Sequence, residues 1–109
     1  MFLLVRLAPS EVLNVIFVHD GTNFNVSWDK PLQPNGNLNY IIVLTGTNLL
    51  RNNQILSTTG VVTDLEFIIE SPSVPYTLYM ASVLPQTGGG AGPESNATLM
   101  TDQKGNNCI

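Results

Sequence analysis

Apolar and polar positions alternate with a period of two along most of the chain, a pattern typical of half-buried β-strands. The clearest alternation places Phe24, Val26 and Trp28 on one face and asparagine or serine on the other. An apolar, β-branched run precedes it at residues 12–18. The Asp-Gly pair at 20–21 predicts a tight hairpin turn between these two strands.

Segments rich in proline, glycine or asparagine separate the remaining strands. Further strands are predicted at residues 38–44, 54–58, 61–69, 76–81 and 97–101. No segment carries a helical stripe longer than one turn. Seven short strands at this spacing predict an all-β sandwich or barrel.

The length of 109 residues fits a single domain. We expect the domain to occupy residues 9–102, with a leader or inter-domain linker at 1–8 and a tail or linker at 103–109. The apolar stretch near the start is too short for a signal peptide, and no apolar run is long enough to span a membrane.

A set of residues at family-like spacing adds to this pattern. In chain order they are Trp28, Pro31, the Pro-Asn-Gly at 34–36, Tyr40, Pro72, Tyr76, Leu78, Met80, the Gly-Ala-Gly-Pro-Glu-Ser at 90–95 and Thr101. With these residues the chain resembles the fibronectin type III family from about residue 9 to 101. The resemblance implies a seven-stranded immunoglobulin-like β-sandwich without a disulfide. True immunoglobulin domains instead pack a third-strand tryptophan on a disulfide.

The same resemblance predicts the residues of the core. They are Trp28, Tyr40, Tyr76 and Leu78. Tyr76 fits the tyrosine corner, in which the hydroxyl binds backbone a few residues upstream; the alternative is a core tyrosine without that bond. The family usually has Leu six residues before this Tyr and Thr two before it, where this chain has Glu70 and Val74. Ile69 would replace the Leu through a one-residue shift.

Charge and cysteine content exclude some classes of function. The net charge is -4, and only 11% of residues are charged. The basic residues, Arg6, Lys30, Arg51 and Lys104, are scattered. Nucleic-acid binding is therefore not expected, because it needs clustered cations. The single cysteine, Cys108, allows no internal disulfide, and pairing with another chain stays open.

Reactive side chains do not form a recognisable catalytic or metal-binding pattern. His19 and Asp20 are neighbours that would point to opposite faces of a strand, so His19 is expected to be an exposed turn residue. Asp64 and Glu66 offer fewer oxygen ligands than calcium requires. The glycines at 88–92 lack the helix and lysine of a phosphate loop, which favours a flexible hairpin loop. We expect no catalytic residue, cofactor or metal.

Two asparagines lie in acceptor sequons for N-linked glycans, Asn25-Val26-Ser27 and Asn96-Ala97-Thr98. Either could carry a glycan if the chain is secreted. Because Asn25 alternates with apolar Phe24 and Val26, its side chain is expected to face water.

The family resemblance implies tandem repetition and protein partners, often in receptor phosphatases, receptor kinases or adhesion molecules. The expected function is a non-catalytic spacer and protein-protein interaction module of a larger receptor or cell-adhesion ectodomain. Such a module is extracellular, contacts other domains of its chain and protein ligands, and does not itself bind nucleic acid or insert into the membrane.

The contact loops are predicted at residues 30–37 and 87–94, since loops vary without disturbing the core. The candidate residues are Lys30, Asn35, Gly36, Gly88, Gly89 and Gly90. Two alternatives remain open for the chain. It could be an intracellular structural repeat of a muscle-type giant protein, or an accessory module of a secreted carbohydrate-active enzyme.

Overall fold

The computed structural model describes residues 8–34 and 36–102, and these residues form eight β-strands without a helix. The strands are β1 (Leu13–His19), β2 (Asn23–Asp29), β3 (Asn39–Asn48), β4 (Asn53–Val62), β5 (Glu66–Glu70), β6 (Thr77–Thr87), β7 (Gly90–Ala91) and β8 (Ser95–Met100). Outside the described residues lie Asn35, residues 1–7 of the predicted leader 1–8, and the whole predicted tail 103–109 with Cys108.

The strands form two antiparallel sheets that face each other, so the predicted all-β sandwich is confirmed. One sheet has the order β1-β2-β5, and the other has β4-β3-β6 with β7 and β8 both paired to β6. The amide of Gly92 donates to the Pro85 carbonyl between the two short strands. β7 and β8 are thus two parts of one interrupted strand, and the eight strands occupy seven positions.

The predicted boundary between the fourth and fifth strands is wrong. β4 does not stop near residue 58 but continues to Val62, because Val61 pairs with Ile41 and Val62 with Tyr40 on β3. The chain then turns at residues 63–65 and begins β5 at Glu66. β4 is extended because it pairs with the long neighbouring strand β3. A local sequence pattern carries no information about that pairing.

The strand registers place the two ends of the domain at opposite poles. Leu13 pairs with Asp29, which leads into β3, and these residues define the N-terminal pole. Met100 pairs with Leu78 at the other end, the C-terminal pole. The Ser10 amide donates to the Gln33 carbonyl over 2.9 Å and fixes the entering chain at the N-terminal pole.

The core lies between the sheets and is apolar. Its buried members are Val12, Phe17, Phe24, Val26, Trp28, Tyr40, Ile42, Leu44, Tyr79, Ala81, Val83 and Leu99. Trp28 on β2 meets Tyr40 on β3 with ring centroids 5.3 Å apart, edge to face. Among the described residues no acceptor binds the buried Trp28 Nε1. The indole therefore contributes by packing and not by a hydrogen bond.

The prediction that Tyr76 and Leu78 point into the core is wrong, because β6 has the opposite phase. Tyr76 is 40% exposed, and Leu78 is half-buried on the outer face. Thr77 and Tyr79 are buried instead. The Tyr79 hydroxyl accepts a 2.8 Å hydrogen bond from the amide of Val74, five residues upstream. Tyr79, not Tyr76, therefore forms the tyrosine corner.

Two neighbours hold the Tyr79 ring in place. Phe24 of the facing sheet packs against it with ring centroids 4.6 Å apart. On β3, a Cβ added to Gly46 would lie 2.8 Å from the ring. Only a residue without a side chain leaves room for the ring there, so Gly46 is part of the corner.

Replacing Trp28 with Ala should lower the free energy of unfolding by about 3–5 kcal/mol, because it leaves a cavity between the sheets. Trp28→Phe is the matched control. It keeps an aromatic ring and loses the unpaired N–H together with part of the indole volume, so it leaves a smaller cavity and its cost should be clearly smaller. Urea unfolding followed by circular dichroism measures both values. A loss below about 1 kcal/mol for Trp28→Ala would contradict the packing described here.

Replacing Tyr79 with Phe should cost about 1–2 kcal/mol, since the Val74 amide loses its acceptor. Tyr76→Phe removes the same atom from an exposed ring and should change stability by less than about 0.5 kcal/mol. Thermal and urea unfolding of the two variants make the comparison. Equal losses of stability in the two variants, or a larger loss for Tyr76→Phe, would contradict the assignment of the tyrosine corner to Tyr79.

Candidate functional site

The two predicted contact loops meet at the N-terminal pole. The connection from β2 to β3 contains Lys30 and Gly36, and the turn after β6 contains Gly88 and Gly89. Gly36 lies against Thr87 at the end of β6, since an added Cβ would be 3.5 Å from the Thr87 Cβ. The two loops therefore form one continuous surface.

The glycines of this surface differ in their structural setting. Gly36 and Gly90 have φ of 136° and 121°, in the region that favours glycine. Gly90 was predicted in a loop but belongs to β7, where it pairs with Thr87. The β6–β7 connection is thus a tight turn at Gly88 and Gly89, closed by a 3.1 Å bond from the Gly89 amide to the Thr87 hydroxyl.

A shallow cleft of about 290 Å³, here called the loop cleft, opens beside this surface. Its lining residues are Lys30, Pro34, Gly36, Asn37, Leu38, Tyr40 and Thr63. Burial raises the pKa of the Tyr40 hydroxyl above its ordinary value. Leu32, at 81% exposure, projects from the same connection. This pole therefore brings together one cation, one exposed leucine and several neutral polar groups.

The C-terminal pole carries a second cleft, of about 430 Å³, which no motif of the sequence indicates. This Tyr76 cleft is lined by Asn48, Leu50, Arg51, Asn53, Ile55, Val74, Pro75 and Tyr76. The backbone of Tyr76 has φ of 54°. Its carbonyl accepts from the Leu49 amide over 2.8 Å, and its amide donates to the Asp102 carbonyl over 3.2 Å. These bonds hold the ring on the surface.

His19 does not occupy the exposed turn position that was expected. It is half-buried at the end of β1, and its ring lies 4.4 Å from Phe24, edge to face. Nε2 lies 2.8 Å from the Ser71 carbonyl oxygen, and Nδ1 accepts from the Gly21 amide over 3.1 Å. The tautomer with its hydrogen on Nε2 satisfies both bonds, which gives His19 a structural role.

Asp20 shapes the predicted turn after β1. Its carboxylate accepts bonds from the amides of Thr22 and Asn23, at 2.9 and 2.7 Å, and from the Thr22 hydroxyl at 3.1 Å. These donors hold the pKa of Asp20 below its ordinary value. The carboxylate is therefore engaged in the turn.

The other acidic residues considered for chemistry lie apart from any cluster. Asp64 sits in the turn before β5, and Glu66 begins that strand. Within residues 8–34 and 36–102, no group of three or more His, Cys, Asp or Glu could hold a metal ion. Nor does that part of the chain contain a helix with the length and apolar character needed to cross a bilayer.

The two sequons lie on different sheets. Asn25 is half-buried on the outer face of β2, the middle strand of its sheet. Asn96 is exposed on β8, at the edge of the other sheet.

Comparison with known proteins shows both a sequence and a structural relationship. No family sequence profile matches the chain. The phosphatidylinositol phosphatase PTPRQ of rat is 32% identical over 81 residues, which is 74% of this chain. Human PTPRQ is 30% identical over 95 residues, or 86% of this chain. The chain spans only 3% and 4% of the length of these two relatives.

Solved structures share the two-sheet architecture. The third fibronectin III domain of human KIAA0343 is 25% identical, with a TM-score of 0.67 over 90% of this chain and 86% of that domain. The FN5 domain of Drosophila Lar is 24% identical, with a TM-score of 0.63 over 87% of this chain and 98% of the other. Domains d3-d4 of the rat CD45 extracellular region are 18% identical, with a TM-score of 0.66 over 86% of this chain and 50% of the other. With its seven strand positions, its tyrosine corner and these neighbours, the chain belongs to the fibronectin type III family.

Proposed function

We propose that this chain is a non-catalytic spacer and protein-binding module in the extracellular part of a larger receptor-type protein. The observation that carries the proposal is the position of the two ends of the domain. The chain enters beside Gln33 at the N-terminal pole and leaves at Asp102 beside Tyr76, at the C-terminal pole. A domain with this geometry adds its length to an array when copies are joined in series.

The relatives support a place in a longer chain. The matched region makes up a few per cent of the two PTPRQ proteins, so the similarity concerns one segment of a much larger protein. The CD45 structure with the same fold comes from an extracellular region. Phosphatase activity is named for PTPRQ, and we assign to this chain the supporting and binding role of a module, not that reaction.

The loop surface at the N-terminal pole is the proposed contact region for a protein partner. Gly36 and Thr87 join its two loops, Lys30 supplies one positive charge, and Leu32 supplies an exposed apolar side chain. Apolar anchors surrounded by polar groups carry most of the binding energy of protein interfaces. Because these residues lie outside the core, they can change without loss of the fold.

The test compares two leucines with similar exposure at opposite poles. Leu32 is 81% exposed beside the loop cleft, and Leu50 is 73% exposed beside the Tyr76 cleft. A pentameric fusion of the chain is screened against an array of extracellular domains, and each bound domain is measured again with both variants. Leu32→Asp should weaken binding at least about tenfold, and Leu50→Asp should leave it unchanged.

The outcomes separate the two parts of the proposal. Loss of binding with Leu50→Asp alone would show that the contact region lies at the C-terminal pole. An array without any bound domain would remove the protein-binding role and leave the spacer role in place. Circular dichroism of each variant serves as the control that the sandwich is intact.

A further inference from the structure

The outer face of the β1-β2-β5 sheet combines an acceptor sequon with an exposed apolar surface. We propose that Asn25 carries an N-linked glycan whose first sugars cover Ile16, Val18 and Ile68. This inference rests on the proposed extracellular setting, because N-linked glycans are added in the secretory pathway. It goes beyond that setting by assigning the modified residue and the surface that the glycan protects.

The sequon is placed so that its side chains share one face. Asn25 and Ser27 are two residues apart on β2, so both point away from the core. Phe24 and Val26 occupy the alternate positions and are buried. Asn25 is half-buried on this outer face, so a glycan attached to it would lie against the sheet surface.

Large aliphatic side chains surround this asparagine on both neighbouring strands. Val18 of β1 and Ile68 of β5 are its direct cross-strand neighbours, so the three residues form one row across the sheet. Ile16 stands opposite Ser27. Ile16, Val18 and Ile68 are 57%, 44% and 51% exposed. Polar residues are usual on the solvent face of an antiparallel sheet. These three exposed aliphatic side chains therefore form a surface that would be stabilised by shielding from water.

The dimensions of the row fit a glycan that begins at its centre. Neighbouring strands lie about 5 Å apart, so Val18 and Ile68 flank Asn25 at that distance on each side. A sugar ring is of similar width, and its C–H groups can pack on aliphatic side chains. The first sugars of a glycan on Asn25 would therefore be close enough to contact Val18 and Ile68.

Polar groups at the rim suit the outer edge of a sugar. Glu66 pairs with Ser27, and Glu70 pairs with Asn23, so a carboxylate lies on either side of Ile68 along β5. Sugar hydroxyls can donate to carboxylates while the ring covers Ile68. A glycan is also bulky and solubilising, which suits a surface that would otherwise promote association.

Asn96 provides an internal comparison. It is exposed on β8, and its cross-strand neighbour on β6 is Ser82, a small polar residue. A glycan there would extend into solvent without an apolar row beneath it. Loss of a glycan from Asn96 should therefore leave the apolar exposure of the domain unchanged.

The experiment uses the chain secreted from mammalian cells behind an added signal peptide. Mass spectrometry of glycopeptides measures the occupancy of Asn25 and Asn96. Apolar exposure is measured with the dye 1-anilinonaphthalene-8-sulfonate. We expect Asn25 to be occupied, and the variant Ser27→Ala, which removes the sequon but keeps Asn25, to raise dye fluorescence at least about twofold.

Two controls make the result specific. Ser27→Thr keeps the sequon and should preserve both the glycan and the low dye signal. An endoglycosidase that leaves one sugar on Asn25 should keep most of the shielding, because the first ring lies on the row. Asn96→Gln should lose its glycan without a change in dye fluorescence.

Several results would overturn the inference. Asn25 found empty in secreted protein with Asn96 filled would reject the site and leave the spacer role intact. An occupied Asn25 with equal dye fluorescence in Ser27→Ala would reject the shielding. A protein ligand that binds the fully glycosylated domain and loses affinity with Ile68→Ser would show that a partner covers this face instead.

Discussion

The structure depends on apolar contact between two sheets that no disulfide joins. Trp28 packs on Tyr40, and Phe24 packs on the Tyr79 ring, so aromatic side chains from β2 cross to the facing sheet at two points. Close packing of this kind supplies the stabilisation that a bridge supplies in immunoglobulin domains. This packing also positions the loops at both poles, because the loops extend from strands whose spacing the aromatic rings set.

The sequence predicts the class of fold well, but it does not predict which alternate residues of β6 face the core. On β2 only one face is apolar, so the positions of Phe24 and Trp28 follow from alternation alone. On β6 both faces read as apolar, and a one-residue shift exchanges the buried and exposed sets. A spacing signal was present, since Thr77 lies two residues before Tyr79, the relation that the family shows. Hydrogen bonding of the Tyr79 hydroxyl to Val74 decides the phase.

The candidate surfaces were predictable where they follow from turn residues. The proline, asparagine and glycine content of residues 30–37 placed a loop at the N-terminal pole. Its contact with Thr87 depends on how the strands are paired, which the sequence does not state. The Tyr76 cleft was missed because an aromatic residue with positive φ on the surface contradicts the usual preferences. Bonds to Leu49 and Asp102, distant in sequence, hold it there.

The break between β7 and β8 affects how the domain meets other copies of itself. β8 lies at the margin of its sheet, where unpaired backbone groups can recruit a strand from another molecule. Pro93, within the break, has no N–H to donate, and Gly92 turns its amide inward to Pro85. A foreign strand would therefore find no unbroken row of donors along this margin. In an array of many such domains held at high local concentration, the interruption limits sheet extension from one unit to the next.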